Sequence, residues 1–127
     1  MNAKLSKPDK KKSSIVGIGI DIEEISRFRE LPYEERKEFY TTIFTEQEIR
    51  YCLEKRDPYP HFAVRFCAKE AFFKASPRQQ IKNPLHIEIV MKGRIPQVRC
   101  NLLGHTIHLS MSHANNHATA IVLIENI

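Results

Sequence analysis

Several features that define other classes of protein are scarce or missing in this 127-residue sequence. There are only three cysteines, and their odd number and wide spacing predict reduced thiols rather than a disulfide framework. No apolar run approaches the roughly 20 residues of a membrane span, and the N-terminus has no apolar signal segment. We therefore expect a soluble, cytoplasmic protein that does not act in a membrane.

Excess charge is also missing from most of the chain. The formal net charge is +5, but residues 1–14 hold five lysines against one aspartate, a net of +4, which leaves +1 for residues 15–127. A nearly neutral folded part does not favour nucleic-acid binding, which needs a basic surface. The charge pattern predicts a basic flexible tail over 1–14 and a single domain over 15–127.

The order of the periodic segments indicates the fold class. Patterns typical of helices come mostly in the first part of the chain and patterns typical of strands in the last part, without regular strand–helix alternation. Thr45 and Glu48 form a capping box at the start of one helix. This predicts an α+β fold, a small antiparallel sheet packed with helices. The expected helices span about 23–31, 34–39, 46–56 and 61–75, and the expected strands 15–22, 86–91, 97–100, 108–113 and 118–124.

The first strand has two different faces. Val16, Ile18, Ile20 and Ile22 alternate with Gly17, Gly19 and Asp21. We expect the aliphatic face to pack the core. The glycine face, which lacks side chains, should let another backbone or a ligand approach closely, with Asp21 at its end.

The segment from Arg65 to Ala75 places four charges in a helix that is apolar on most of its circumference: Arg65, Lys69, Glu70 and Lys74. Ionised groups in a largely buried helix must be paired, bound to metal or turned toward a ligand. Either a functional site or a structural Glu70–Lys74 ion pair would satisfy this requirement. Lys69 receives no role from the sequence.

Two carboxylates in these segments suit a magnesium ion. Asp21 ends the glycine face, and Glu70 lies on the charged helix with Lys74 one turn further on. Mg²⁺ is typically held by one or two carboxylates together with substrate phosphates, and an ammonium group beside it would help to neutralise a diphosphate. His113 is at the end of a strand, where a histidine can have either a structural or a catalytic role. A zinc site at His113 and His117 is disfavoured because no Cys-x-x-Cys pair accompanies them.

Four segments in order resemble the holo-[acyl-carrier-protein] synthases, the small 4′-phosphopantetheinyl transferases of bacterial fatty-acid synthesis. They are Gly17 to Ile25 with Arg27, Phe44 to Glu48, Arg65 to Ala75, and His108 to His113. The resemblance implies the phosphopantetheinyl transferase fold and an enzyme that transfers the 4′-phosphopantetheine arm of coenzyme A to a serine of apo-acyl carrier protein. Adenosine 3′,5′-bisphosphate would be released.

The resemblance also implies roles for particular residues. Asp21 and Glu70 would hold Mg²⁺, and Lys74 would contact the coenzyme A diphosphate. Glu70 is the candidate for the base that takes the serine proton, so that Glu70 and Lys74 are the catalytic pair. Arg65 and His113 would lie near the adenosine and its 3′-phosphate. Arg27 would meet the acidic carrier protein, and a homotrimer with sites between neighbours is the usual assembly.

Two alternatives and one departure remain. A metal-dependent phosphodiesterase or nuclease could use the same three charged groups, and a relative that binds carrier protein without turning it over could keep the fold. The departure follows the charged helix, where the family usually has a glycine-rich loop. This chain has Ser76-Pro77-Arg78 and no glycine before Gly93.

Overall fold

The structure is a computed structural model that describes residues 14–127, apart from the side chain of Gln79. The tail predicted for residues 1–14 lies outside the described residues except for Ser14, whose carbonyl accepts a hydrogen bond from Asn126. The helices are α1 (Ser26–Arg29), α2 (Lys37–Ile43), α3 (Glu46–Leu53) and α4 (Pro58–Ala75), and the strands are β1 (Ile15–Glu24), β2 (Glu88–Lys92), β3 (Ile95–Arg99), β4 (His105–His113) and β5 (His117–Asn126). Short 3-10 turns occupy Tyr33–Glu35, Pro77–Gln79 and Pro84–His86.

Two antiparallel sheets confirm the α+β prediction. The larger sheet has the order β1-β5-β4, and β2 pairs with β3 in a separate hairpin that lies beside β4. A turn around Asn115 and Asn116 joins β4 to β5, with Ala114 N–H donating to the carbonyl of His117 at 2.9 Å. No helix in the described part of the chain is long and apolar enough to cross a membrane.

Helix α4 lies across one face of the larger sheet, against β1 and β5, and carries the centre of the core. It begins at Pro58, three residues before the predicted start at His61. The side chain of Asp57 caps the helix by accepting from Tyr59 N–H at 3.3 Å, and a proline is tolerated in the first turn, where no intrahelical donor is needed. Ten of its eighteen residues are buried, as expected for a helix packed on most sides.

The prediction for the two faces of β1 was half wrong. Ile18, Ile20 and Ile22 are 56%, 60% and 64% exposed on the outer face of the sheet, away from α4. The opposite face, with Gly17 and Gly19, lies against the helix backbone. Alternation identified the two faces correctly but could not show which one meets the core, because a helix in direct backbone contact needs no large side chain beneath it.

The first helix was also predicted wrongly. A helix was expected from Glu23 to Leu31, but Glu23 and Glu24 remain in β1, paired with Ala118 and His117, and α1 has only four residues. Pairing with β5 therefore overrides the local helix preference of the glutamates. The capping box is confirmed: Thr45 Oγ1 accepts from Glu48 N–H at 3.2 Å and Glu48 Oε1 accepts from Thr45 N–H at 2.8 Å. Its helix ends at Leu53 rather than near Arg56.

Candidate active site

The site is built on an unusually close contact between β1 and α4. A Cβ atom at Gly17 would lie 1.8 Å from the carbonyl oxygen of Ala75, and one at Gly19 would lie 2.0 Å from that of Ala71. Only glycine fits at either position. The contact brings Asp21, at the end of this glycine face, to the end of the helix that carries Glu70 and Lys74.

Asp21 and Lys74 meet there in an ion pair that the sequence did not predict. Lys74 Nζ donates to Asp21 Oδ1 at 3.2 Å and to the carbonyl of Ile20 at 2.9 Å. The structural Glu70–Lys74 pair considered above is not formed among the described residues, since the carboxylate bound to Lys74 is that of Asp21. The side chain of Asp21 is 11% exposed and that of Lys74 is 54% exposed, so the ammonium group remains accessible.

Glu70 belongs to the same charged group. It is half-buried, and burial and then the negative charge of Asp21 raise its pKa, while Lys74 opposes the shift. A carboxyl group with a raised pKa is a better proton acceptor near neutral pH than an ordinary glutamate.

The donor set fits a divalent cation. Asp21 Oδ2 is buried and has no hydrogen-bond partner within the described residues. A buried carboxylate oxygen without a partner costs at least about 1–3 kcal/mol, and a hard cation would satisfy it. Asp21 and Glu70 are therefore the two residues that could hold Mg²⁺, with Lys74 beside them.

Glu23 is a neighbour that sequence reasoning missed. It lies two residues beyond Asp21 on the same side of β1, its side chain is only 14% exposed, and it forms an ion pair with Arg27. Burial, followed by contact with Asp21, raises the pKa of Glu23. The signal was the alternation of β1, which continues two residues past Asp21 and would have placed Glu23 beside it. Arg27, which is expected to contact the carrier protein, is thus linked through Glu23 to the carboxylates of Asp21 and Glu70.

Arg65 and His113 lie apart from this group. Asp21 is on β1 and His113 is on β4, the two edge strands of the sheet, which lie about 10 Å or two strand spacings apart. Arg65 and His113 line a shared cavity of about 160 Å³, together with Tyr51, His61, Val64, Met91, Met111 and Ser112. The structure therefore brings together Asp21, Glu70 and Lys74, and separately Arg65 and His113.

Lys69 has a structural position. Its side chain is 1% exposed, and its ammonium group donates to Glu48 Oε1 at 2.7 Å, to the carbonyl of Ile43 at 2.8 Å and to that of Pro84 at 2.9 Å. Glu48 in turn accepts from Ile89 N–H at 2.6 Å. This buried pair joins α4 to α2, α3, β2 and the end of the loop that follows α4.

That loop departs from the family's glycine-rich pattern. Arg78 has φ 55°, and it is the one residue other than glycine with a positive φ in residues 14–127. An arginine there adopts the left-handed conformation that glycine adopts without strain. The absence of glycine therefore does not prevent the tight turn at Pro77–Gln79 directly after Lys74 and Ala75.

Residues 17–122 match the 4′-phosphopantetheinyl transferase superfamily. The chain belongs to this superfamily. A holo-[acyl-carrier-protein] synthase of Thermodesulfovibrio yellowstonii is 34% identical over 111 residues, which cover 87% of this chain and 98% of the relative. One of Chlamydia trachomatis is 38% identical over 117 residues and covers 86% and 98% of the two chains.

Solved structures of this superfamily have the same fold. The holo-(acyl-carrier-protein) synthase of Bacillus anthracis in complex with CoA (3′,5′-ADP) is 33% identical with a TM-score of 0.77, over 89% of this chain and 98% of that one. The synthase of Helicobacter pylori in complex with coenzyme A is 26% identical with a TM-score of 0.72, over 84% and 98%. The resemblance and the fold inferred from the sequence are thus confirmed.

Proposed function

We propose that this protein is a holo-[acyl-carrier-protein] synthase, which transfers 4′-phosphopantetheine from coenzyme A to a serine of apo-acyl carrier protein. The observation that carries the proposal is the buried Oδ2 of Asp21, which has no partner in residues 14–127 and lies beside Glu70 and Lys74, in a chain that covers almost the full length of named synthases. Two carboxylates and an accessible ammonium group provide the charges that a diphosphate and its metal ion require.

Each residue of this group has a distinct task in the transfer. Asp21 and Glu70 hold Mg²⁺, which when bound neutralises the diphosphate and stabilises the charge that develops on the leaving group. Lys74 exchanges its bond to the carbonyl of Ile20 for one to the diphosphate, and its exposure leaves it free to do so. Glu70 accepts the proton of the attacking serine.

The remaining site residues bind the two substrates. Arg65 and His113 bind the adenosine end of coenzyme A with its 3′-phosphate. Arg27 contacts the acidic carrier protein, whose carboxylates would replace Glu23 as its partner. We also propose that residues 15–127 form one domain, because one continuous core cluster runs from α1 to β5.

A homotrimer would complete the site. The outer face of the sheet exposes Ile18, Ile20, Ile22 and Ile121, an apolar patch of the kind that protein partners cover. If three sheets turn these faces toward a common axis, the β1 edge of one subunit adjoins the β4 edge of the next. Asp21 and Glu70 of one copy would then face Arg65 and His113 of its neighbour, which explains why one chain holds the two groups at opposite edges. We also place the reaction in the cytoplasm and in fatty acid biosynthesis.

The deciding experiment is a carrier-loading assay. Purified protein with Mg²⁺, coenzyme A and apo-acyl carrier protein should add about 340 Da to the carrier, as expected for covalent transfer of the arm. If several apo-carriers gain no mass, the proposal is wrong. Carrier binding without mass gain would indicate the non-catalytic alternative, and cleavage of nucleic acid with Mg²⁺ or Mn²⁺ would indicate a nuclease.

The metal site has a separate readout. Mg²⁺ should raise the melting temperature of the wild type, because a ligand that binds only the folded state stabilises it. Asp21→Asn and Glu70→Gln should not show this rise in melting temperature. Their turnover should be lower than that of the wild type by at least about 10²-fold. Glu24→Gln is the matched control, since Glu24 is exposed on the opposite face of β1. A normal metal response in either site variant would refute the role of that residue.

A further inference from the structure

Arg65 is a buried cation with no carboxylate beside it among residues 14–127. It is 2% exposed, its Nη1 donates to the carbonyl of His61 at 3.2 Å, and its guanidinium stacks over the ring of Tyr51 at 4.3 Å. Its Nε has no hydrogen-bond partner among the described residues, and none of their ion pairs involves it. Burying a charge without a counter-charge is costly, so this arrangement favours an anionic ligand in the adjoining cavity.

Two imidazole rings line the same cavity. The rings of His61 and His113 meet edge to face with centroids 5.6 Å apart, and His61 also contacts Tyr51. Two imidazoles and a guanidinium around about 160 Å³ can supply several charge-assisted donors to one small anion. Neither the sequence nor the resemblance assigned His61 any role.

The surroundings of His61 are mostly cationic. Arg65, His113 and Lys55 face it, and Asp57, an acidic neighbour within the described residues, also pairs with Arg29. Burial, and then Arg65, lower the pKa of His61, and Asp57 only partly offsets this. A phosphate dianion between the rings would raise the pKa of His61, because it stabilises the protonated imidazole.

We propose that His61 is a third phosphate-binding residue of this cavity, which joins Arg65 and His113 in holding the 3′-phosphate of coenzyme A and does so in its protonated form. The inference rests on the proposed function. A phosphate monoester fits better than the diphosphate, because the diphosphate is already assigned to Lys74 and the carboxylate pair. His61 thereby makes recognition of the 3′-phosphate dependent on pH, whereas Arg65 alone would bind it at any physiological pH.

The test compares two nucleotides that differ in this phosphate. Adenosine 3′,5′-bisphosphate and adenosine 5′-monophosphate are titrated calorimetrically into the full-length protein between about pH 6 and pH 8, the range in which histidine changes charge. In the wild type, the ratio of the affinity for the bisphosphate to the affinity for the monophosphate should fall about tenfold from about pH 6 to pH 8. In His61→Gln and His61→Phe the fall should be clearly smaller. Both variants are used because the phenylalanine keeps the ring contacts with Tyr51 and His113.

Proton uptake provides an independent readout. Titrations of the bisphosphate in buffers of different ionisation enthalpy should show that the wild type takes up more protons on binding than either variant, by up to about one proton per site. The ionisation of the nucleotide itself cancels in this comparison. His86→Gln is the control, since His86 is exposed in the 3-10 turn Pro84–His86, outside the cavity, and it should behave as the wild type.

The outcomes separate this inference from the proposed function. If the wild type loads the carrier but both His61 variants keep its pH dependence and proton uptake, the role of His61 is refuted and the function stands. If the wild type neither binds an adenosine nucleotide nor loads a carrier, the proposed function fails and this inference fails with it.

Discussion

Substituting alanine for Gly19 tests whether the contact between β1 and α4 positions the active site. The new Cβ would lie 2.0 Å from the carbonyl oxygen of Ala71, and ordinary contact begins at 3.4 Å. Strand and helix would therefore have to separate by about 1.4 Å along this line. Both sides of the contact are backbone, so no side-chain rotation can relieve it.

The expected cost follows from this displacement. Overpacking typically costs 1–3 kcal/mol, and a clash with helix backbone belongs at the upper end, so Gly19→Ala should lose about 3 kcal/mol of unfolding free energy. The same displacement separates Asp21 from Glu70 and Lys74. Because a misplacement of about 1 Å can cost about 10²-fold in rate, carrier loading should fall by at least that factor.

Urea denaturation and the loading assay measure the two effects, with Gly93→Ala as the control. Gly93 has φ +64° and nothing within 4 Å of an added Cβ. Gly93→Ala should lose about 1–2 kcal/mol of unfolding free energy through backbone strain, but its turnover should stay normal. If Gly19→Ala lost less than about 1 kcal/mol and loaded the carrier normally, the reasoning about this contact would be refuted.

Three further predictions concern the buried ion pair, a helix cap and the outer face of the sheet. Lys69→Met should cost about 3–5 kcal/mol in urea denaturation because it leaves the carboxylate of Glu48 buried without a counter-charge. Adding Glu48→Gln, which removes that charge and keeps an acceptor for the N–H groups of Thr45 and Ile89, should recover part of the loss; an equally unstable double variant would argue against the pair. Asp57→Ala should cost about 1 kcal/mol through loss of the α4 cap. The hydrogen bond from Arg29 lowers the pKa of Asp57. The difference in unfolding free energy between wild type and Asp57→Ala should therefore have its full value above about pH 4 and shrink as the pH falls further. A difference that does not change with pH would contradict this. Ile20→Arg should remain folded by circular dichroism, because Ile20 is 60% exposed, yet give a smaller species in light scattering; an unchanged mass would count against the trimer.

Much of the candidate site could be predicted from local patterns. Glycine alternation indicated a close approach at β1, and four charges in an apolar helix indicated a site or an ion pair. The capping box at Thr45 was also readable, because its two hydrogen bonds depend only on residues three apart.

Other parts could not be predicted because they depend on partners distant in the chain. Glu23 stays extended because β5 pairs with it across 95 positions of sequence, and Lys69 finds its carboxylate on another helix. The partner of Lys74 is Asp21 rather than the nearby Glu70 for the same reason: the β1–α4 contact brings residues 53 positions apart within hydrogen-bond distance.

The sequence by itself determined the α+β class, the family, the strand face that must come close to another backbone, and the residue types available for a metal and a diphosphate. These follow from short-range periodicity and from motifs whose spacing is local. Only the tertiary structure decided that the isoleucine face of β1 is exposed, that a buried oxygen of Asp21 has no partner within the described part of the chain, and that Arg65 and His61 share a cavity at the far edge of the sheet. Those properties depend on which elements pack together, and packing is set by the sum of many long-range contacts that no single segment encodes.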